Sequence, residues 1–387
     1  MTTRHAGAGI PIDRRTMLRG TLTLGAAGGL GSLLAACGSS SSASSAAAAA
    51  SSGPAGIPAK KDGATLDLFA WEGYFAPSAI SGFEKQYGIK VNQTYITSGD
   101  DELQKVVAGL PFDVAIANSE NLQQIIAAGL LRPLNHANLS NWSQVDSYFN
   151  NPYYDPGAKY SVGYAMAPMG IVYRTDVFPT LTGSWTDMWT YAPKAPGRVY
   201  MLDDMQISLS IALMHLGKPI VNPTQADLDA AADALLSLKP HLAGFVSVNT
   251  IQQIASGQAA LMPTYTGNVY TALSQAKNPG TIKFELCKEG QLFNSDTMTI
   301  TAKAAHPGNG MLFINYMLAE ANMAANVNYI GYPVGTTTGM STYATLVKDH
   351  PWLVVGTDLL SKPSAWEQGL TEANRPMWTS AWLKVQS

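Results

Sequence analysis

From residue 65 to residue 129 the chain alternates strand-like and helix-like stretches with short links, and that order admits few folds. Residues 65–71 alternate apolar and polar side chains, as a half-buried strand does. Residues 79–87 carry helical spacing and stop at Gly88, a residue suited to a left-handed C-cap. A strand over 89–95, a helix over 100–110 opened by Asp100, a nearly all-apolar strand over 112–117 and a helix over 121–128 stopped at Gly129 complete the run. Strands linked through helices pair in parallel, with the helices covering the sheet faces. The style continues with strands at 170–173, 198–202, 259–262 and 282–286. Helices are expected at 185–191, 207–216, 225–238 (capped by Thr224), 310–319 and 322–329, with more helix from 362 onward. No internal repeat is present, and periodicity alone gives a large α/β protein with room for two lobes.

The first 36 residues read as an export leader rather than as part of that fold. Arg4, Arg14, Arg15 and Arg19 give a basic start, and Arg14-Arg15-Thr16-Met17-Leu18 reads as a twin-arginine signal. The apolar stretch that follows, Thr21 to Leu34, is about fourteen residues, short of the roughly twenty that span a bilayer. Leu34-Ala35-Ala36-Cys37 then sets small residues before a cysteine whose sulfur can accept diacylglycerol. The glycines at 25–31 fall inside this leader and so do not form a nucleotide-binding turn. Residues 37–62 are expected to be the lipidated cysteine and a flexible Ser/Ala-rich tether, a composition that cannot bury a core. The expected product is an exported lipoprotein, anchored through Cys37 to the outer face of the cytoplasmic membrane.

Losing the leader removes four arginines and Asp13, taking the 24 basic and 27 acidic residues to 20 and 26, a net charge of about −6. That balance disfavours nucleic acid and suits a cationic ligand. Arg132, Arg174, Arg198 and Arg375 are the arginines that remain, too few for the guanidinium forks that phosphate or carboxylate ligands favour. With Cys37 lipidated, Cys287 stands alone, and its setting in Phe284-Glu285-Leu286-Cys287 is that of a buried strand residue. Gly-x-Ser-x-Gly, His-Glu-x-x-His, Cys-x-x-Cys and phosphate-loop motifs are absent, and the histidines at 5, 136, 215, 241, 306 and 350 are isolated. Neither an enzyme nor a resident cofactor or metal is expected.

Three ordered patterns resemble the spermidine/putrescine-binding proteins of bacterial ABC importers. The first is Leu68-Phe69-Ala70-Trp71-Glu72-Gly73-Tyr74-Phe75-Ala76-Pro77 with Phe83-Glu84-Lys85-Gln86-Tyr87-Gly88-Ile89-Lys90-Val91. The second is Tyr164-Ala165-Met166-Ala167-Pro168-Met169-Gly170-Ile171-Val172-Tyr173 with Ser184-Trp185-Thr186-Asp187-Met188-Trp189. The third is Leu292-Phe293-Asn294-Ser295-Asp296-Thr297-Met298-Thr299-Ile300 with Ile330-Gly331-Tyr332-Pro333. The resemblance implies a two-lobed periplasmic-binding-protein fold, each lobe a mostly parallel sheet flanked by helices. It implies lobe 1 at 65–169 plus 295–337 and lobe 2 at 170–294 plus 338–387, with crossovers near Met169–Gly170, Asn294–Ser295 and Thr337. It also implies a ligand held between closing lobes, permease and ATPase subunits as partners, and action as a monomer.

A polyamine needs carboxylates to replace the water stripped from each ammonium, and aromatic faces suit both charge and methylene. Carried over from the resemblance, Trp71 and Tyr74 are the first aromatic pair, with Tyr265 and Tyr332 as later rings. Asp204 and Asp296 match the family's acids, and Glu367 lies where a polar C-terminal residue reaches the ligand. Glu72 and Glu120 are loop acids beside the cleft. Three positions depart from the known receptors: Ile207 and Asn268 stand where acids are found, and Asn294 where an aromatic ring is. The ligand is therefore expected to be a polyamine or a related amine or guanidinium compound. Plainer roles stand beside these: Asp204 as a helix N-cap, and Tyr265 and Tyr332 as packing residues. A sugar receptor stacking its ligand on tryptophan, or a metal receptor using Tyr153-Tyr154, is the alternative of the same build.

Overall fold

The computed structural model describes residues 56–97, 99–290, 292–355, 370–371 and 373–387. The expected leader, Cys37, most of the tether and Glu367 lie outside the described residues.

The first elements follow the alternation of the sequence. β1 (Thr65–Trp71) buries Leu66, Leu68 and Phe69. α1 (Pro77–Tyr87) opens on Pro77, whose fixed φ suits a first helical turn. The Ala76 N–H before it donates to Asn326 Oδ1 at 2.8 Å. The helix ends at Gly88, whose φ of 60° lies in the left-handed region. β2 (Lys90–Ile96), α2 (Gly99–Val107), β3 (Val114–Asn118) and α3 (Ser119–Ala127) follow, with β2 and β3 flanking β1 in parallel. Every residue of β3 is buried, which is why its sequence lacks alternation.

β4 (Ser161–Arg174) has fourteen residues, so at about 3.4 Å each it is roughly 45 Å long. Next come α4 (Asp187–Tyr191), β5 (Tyr200–Leu202), α5 (Met205–His215), α6 (Gln225–Leu238), β6 (Gly244–Val246) and α7 (Thr250–Ala255). β7 (Leu261–Tyr265), α8 (Thr266–Gln275), β8 (Ile282–Glu285) and β9 (Leu292–Thr299) complete the strands. A seven-stranded sheet has the order β2-β1-β3-β9-β4-β7, with β8 also on β4, while β5 and β6 pair separately in parallel. From Ser161 to Met169, β4 pairs with β9; from Met169 to Arg174 its partners are β7 and β8. These ladders, and β3–β9, are antiparallel. Parallel pairing thus holds at β1–β2, β1–β3 and β5–β6, and the sheet as a whole is mixed because β4 and β9 run through its middle rather than closing β-α-β units.

α9 (Pro307–Met317), α10 (Glu320–Ile330), α11 (Thr337–Leu346) and α12 (Arg375–Gln386) follow. α10 packs on α11, and α12 covers α5 and α6. α5 is buried from Ile207 through Met214, and Ser208 Oγ satisfies itself by donating to the Leu202 carbonyl at 2.6 Å. Cys287 is buried as expected but lies two residues past the end of β8, outside the strand. Among the described residues no helix is long and apolar enough to cross a membrane.

Candidate functional site

The sheet brings one group of polar side chains together where β3 ends. Asn118, its last residue, stands opposite Asp296 of β9. Asn294 lies two residues earlier on the same strand and therefore shares a sheet face with Asp296. α3 begins directly after β3, which puts Glu120 in its first turn, where a helix dipole favours negative charge. Glu102, on α2, accepts the Asn118 N–H at 3.0 Å and is fully buried.

Tyr74 enters from the loop after β1 and donates its hydroxyl to Asp296 Oδ2. Tyr164, on β4, donates its own hydroxyl to the Tyr74 carbonyl at 2.8 Å, and the two rings meet edge to face at 5.2 Å. Asn294 Nδ2 donates to Glu120 Oε1 at 3.4 Å. Five buried acceptor oxygens then remain without a donor among the described residues: Glu102 Oε2, Asn118 Oδ1, Glu120 Oε2, Asn294 Oδ1 and Asp296 Oδ1. Each such atom costs about 1–3 kcal/mol when left unmet. A group carrying several N–H donors is what this arrangement lacks.

The electrostatics agree. Burial pushes the Asp296 carboxyl up to about 6, against a lowering by the Tyr74 hydroxyl. Burial also raises Glu120, to about 7, helped by the charges of Asp296 and Asp204. Glu102 is pushed well above the usual carboxylate range by burial and then by Glu120. No lysine, arginine or histidine figures among the main influences on these three acids. Tyr74, Tyr164 and Tyr332 are all raised by burial and by Asp296, so each stays a neutral donor and aromatic face at physiological pH.

The other expected residues fall in different settings. Asp204 is exposed and accepts the Ile207 N–H at 2.9 Å as the N-cap of α5, yet its charge also raises Glu120, so it lies near enough to act on the cluster. Tyr332 donates to Asn268 Oδ1 at 3.3 Å, and a Cβ at Gly267 would collide with its ring. Tyr265, partly buried, is the N-cap residue of α8 and pairs with Met169. Trp71 is the partly buried last residue of β1, and Glu72 after it is exposed. Asp296 stands in the middle of β9. Tyr154, of the adjacent tyrosine pair, is buried in the core at 1 % exposure. Among the described residues no group of three or more His, Cys, Asp or Glu side chains is placed to hold a metal ion.

Glu102, Asn118 and Tyr164 were not legible as site residues. The run Asp100-Asp101-Glu102 reads as the solvated first turn of a helix, and nothing local marks its third member as buried. Surface concavities elsewhere, about 460 Å³ beside Arg174, Arg198 and Lys277 and about 550 Å³ beside Pro376 and Leu383, contain none of the expected residues. Volume alone does not locate the chemistry here; unmet acceptors do.

Comparison with known proteins agrees with this architecture. A profile described as bacterial extracellular solute-binding protein matches residues 78–352. A putrescine-binding periplasmic protein of Pseudomonas aeruginosa is 26% identical over 349 residues, covering 86% of this chain and 95% of that one. The Escherichia coli putrescine-binding periplasmic protein is 27% identical over 340 residues, covering 84% and 91%. Among solved structures, the spermidine/putrescine ABC transporter substrate-binding protein of Streptococcus pneumoniae has a TM-score of 0.74 at 20% identity, covering 84% of this chain and 99% of that one. A Treponema pallidum lipoprotein has a TM-score of 0.73 at 21% identity, covering 83% and 99%. With the periplasmic-binding-protein fold in place and the family profile spanning most of its length, the chain belongs to the bacterial extracellular solute-binding proteins.

Proposed function

We propose that this protein captures a small cationic amine of the putrescine and spermidine class between its two lobes and presents it to the permease and ATPase subunits of an ABC importer. One observation carries the reading: Asp296 holds the Tyr74 hydroxyl on one oxygen while its other oxygen, buried, has no donor among the described residues, next to a second such carboxylate on Glu120. A charge-assisted hydrogen bond contributes about 1.5–3 kcal/mol and each cation–π contact about 0.5–2 kcal/mol. Two carboxylates with the faces of Trp71, Tyr74, Tyr265 and Tyr332 suffice for the ~8 kcal/mol of a micromolar complex. Relatives named for putrescine support this ligand class.

Lobe 1 is taken as residues 65–169 plus 295–337 and lobe 2 as 170–294 plus 338–387, a division supported by the change of β4's partners at Met169. Asp204 then reaches Glu120 across the cleft, and Glu367 remains assigned to it by resemblance. Glu72, being exposed, is given a place at the rim. The lipid anchor on Cys37, the outer-face location and monomeric action complete the proposal. A thermal-shift screen of putrescine, spermidine, spermine, agmatine and neutral sugars tests it. Amines are expected to raise Tm by several degrees and sugars to leave it unmoved; stabilisation by a sugar alone overturns the reading.

A further inference from the structure

Glu102 is wholly shielded from solvent, yet it is an acid at the rim of a site that already holds two others. One of its oxygens accepts the Asn118 N–H, and the other has no donor among the described residues. From α3 it is faced by Glu120 and the Asn121 amide, and from β9 by Asp296. Glu120 is faced by Asn294 and Asp296 of β9 and by Asp204 at the start of α5. Asp296 is faced by Tyr74, Tyr164 and Tyr332. The nearest cation on the same helix, Lys105, is held by Asp101 at 3.0 Å and sits over the Phe69 ring.

Glu102 is buried and Glu120 partly buried, and each has an oxygen closed off from solvent with no donor among the described residues. Glu120 acts on Glu102 through its charge, and with no cation among the main influences on either the two cannot both stay ionised. Such a pair titrates as a unit and retains a proton at neutral pH. We propose that the empty site stores this proton on the Glu102–Glu120 pair and that an arriving ammonium group expels it, so that capture is a cation-for-proton exchange. The inference rests on the amine reading of the same site. The step balances simply: the protonated amine docks against Glu120, the shared proton passes to solvent, and both carboxylates end ionised around the ammonium. Asn118 and Asn294 contribute their free amide oxygens to the bound cation. Affinity then rises with pH through the neutral range, by up to about tenfold per pH unit below the pair's apparent pKa.

Titration calorimetry with putrescine at pH 6.5, in buffers of different ionisation enthalpy, reads the exchange. The observed enthalpy is expected to follow the buffer's enthalpy with a slope of roughly one proton released. E102Q keeps the acceptor for Asn118 and should still bind with a smaller slope, because Glu120 stays raised by burial and by Asp296; E120Q should reduce the slope as well. Wild-type binding without proton release, or an unchanged slope in E102Q, overturns the exchange. Carbon-13 detection of the glutamate carboxyls in the ligand-free protein needs no ligand. A resonance missing from E102Q should titrate well above the usual carboxylate range, and an ordinary carboxylate titration overturns proton storage. Failure of every amine to bind, with that carboxyl still titrating high, refutes the amine reading and the exchange together while leaving the stored proton standing.

Discussion

Replacing Asp296 by asparagine separates what the carboxylate does for a ligand from what it does for the fold. The amide oxygen of asparagine can still accept the Tyr74 hydroxyl, so the packing of Tyr74 against Tyr164 is kept. What changes is the second atom: a buried oxygen without a donor becomes an NH₂ group aimed at the same space. Loss of a charge-assisted bond to an ammonium, about 2–3 kcal/mol, corresponds to a roughly 30- to 150-fold weaker Kd. In the empty protein the effect reverses. Asp296 is raised from 3.8 to about 6, so at pH 7 it must ionise against burial, at a cost of up to about 3 kcal/mol to the folded state. The asparagine variant removes that cost, and its ligand-free Tm should equal or exceed that of the wild type. Calorimetry with putrescine and thermal unfolding of the empty variant give the two halves. A Kd within threefold of wild type would refute the assignment of Asp296; a large loss of ligand-free stability would mean that its role is structural instead.

Further outcomes follow from the same geometry. Stability of the ligand-free protein should fall between pH 5 and pH 8 by up to about 3 kcal/mol. Glu120 is protonated in both states below its unfolded pKa near 4.5, and the penalty grows as pH rises through its folded value of about 7. E120Q should flatten that dependence in denaturant unfolding, and an identical pH profile argues against it. Y74F should weaken putrescine binding about 10- to 150-fold, since a hydrogen bond to a charged group contributes about 1.5–3 kcal/mol; an unchanged Kd contradicts the role given to the hydroxyl. G267A forces the Tyr332 ring aside and should weaken binding in the same calorimetric assay, with unaltered affinity counting against Tyr332 as a site residue. E72Q should bind within twofold of wild type, because an exposed side chain at the rim contributes little.

Much of the scaffold could be read because the local signals agree with the fold. Alternation in β1, the unbroken apolar run of β3 and the Gly88 stop each correspond to a physical requirement that the structure meets. β6 escaped notice because three half-buried residues carry no period, and α5 reads as weakly patterned because it is buried on nearly every side. The parallel bias expected of the sheet overlooked that the long strand β4 pairs antiparallel with β9 along its first part and with β7 and β8 along its last, a property of pairing partners rather than of sequence. Asp296 and Asp204 were named from resemblance and Glu120 as a loop acid beside the cleft, although it stands in the first turn of α3. Their company was not visible: Tyr74 and Asp296 lie 222 residues apart, and only tertiary folding places the hydroxyl on the carboxylate. Glu102 was hidden for the opposite reason, since an acid after two others at a helix start looks solvated until the helix is docked.

The central claim is that a positive nitrogen, rather than shape or polarity alone, is what the cleft recognises. A calorimetric comparison of 1,4-diaminobutane with 1,4-butanediol, equal in skeleton and differing in charge, tests it most directly. Micromolar binding of the diamine with no measurable heat from the diol is the predicted result. Equal binding of the two, or preference for the diol, would contradict it.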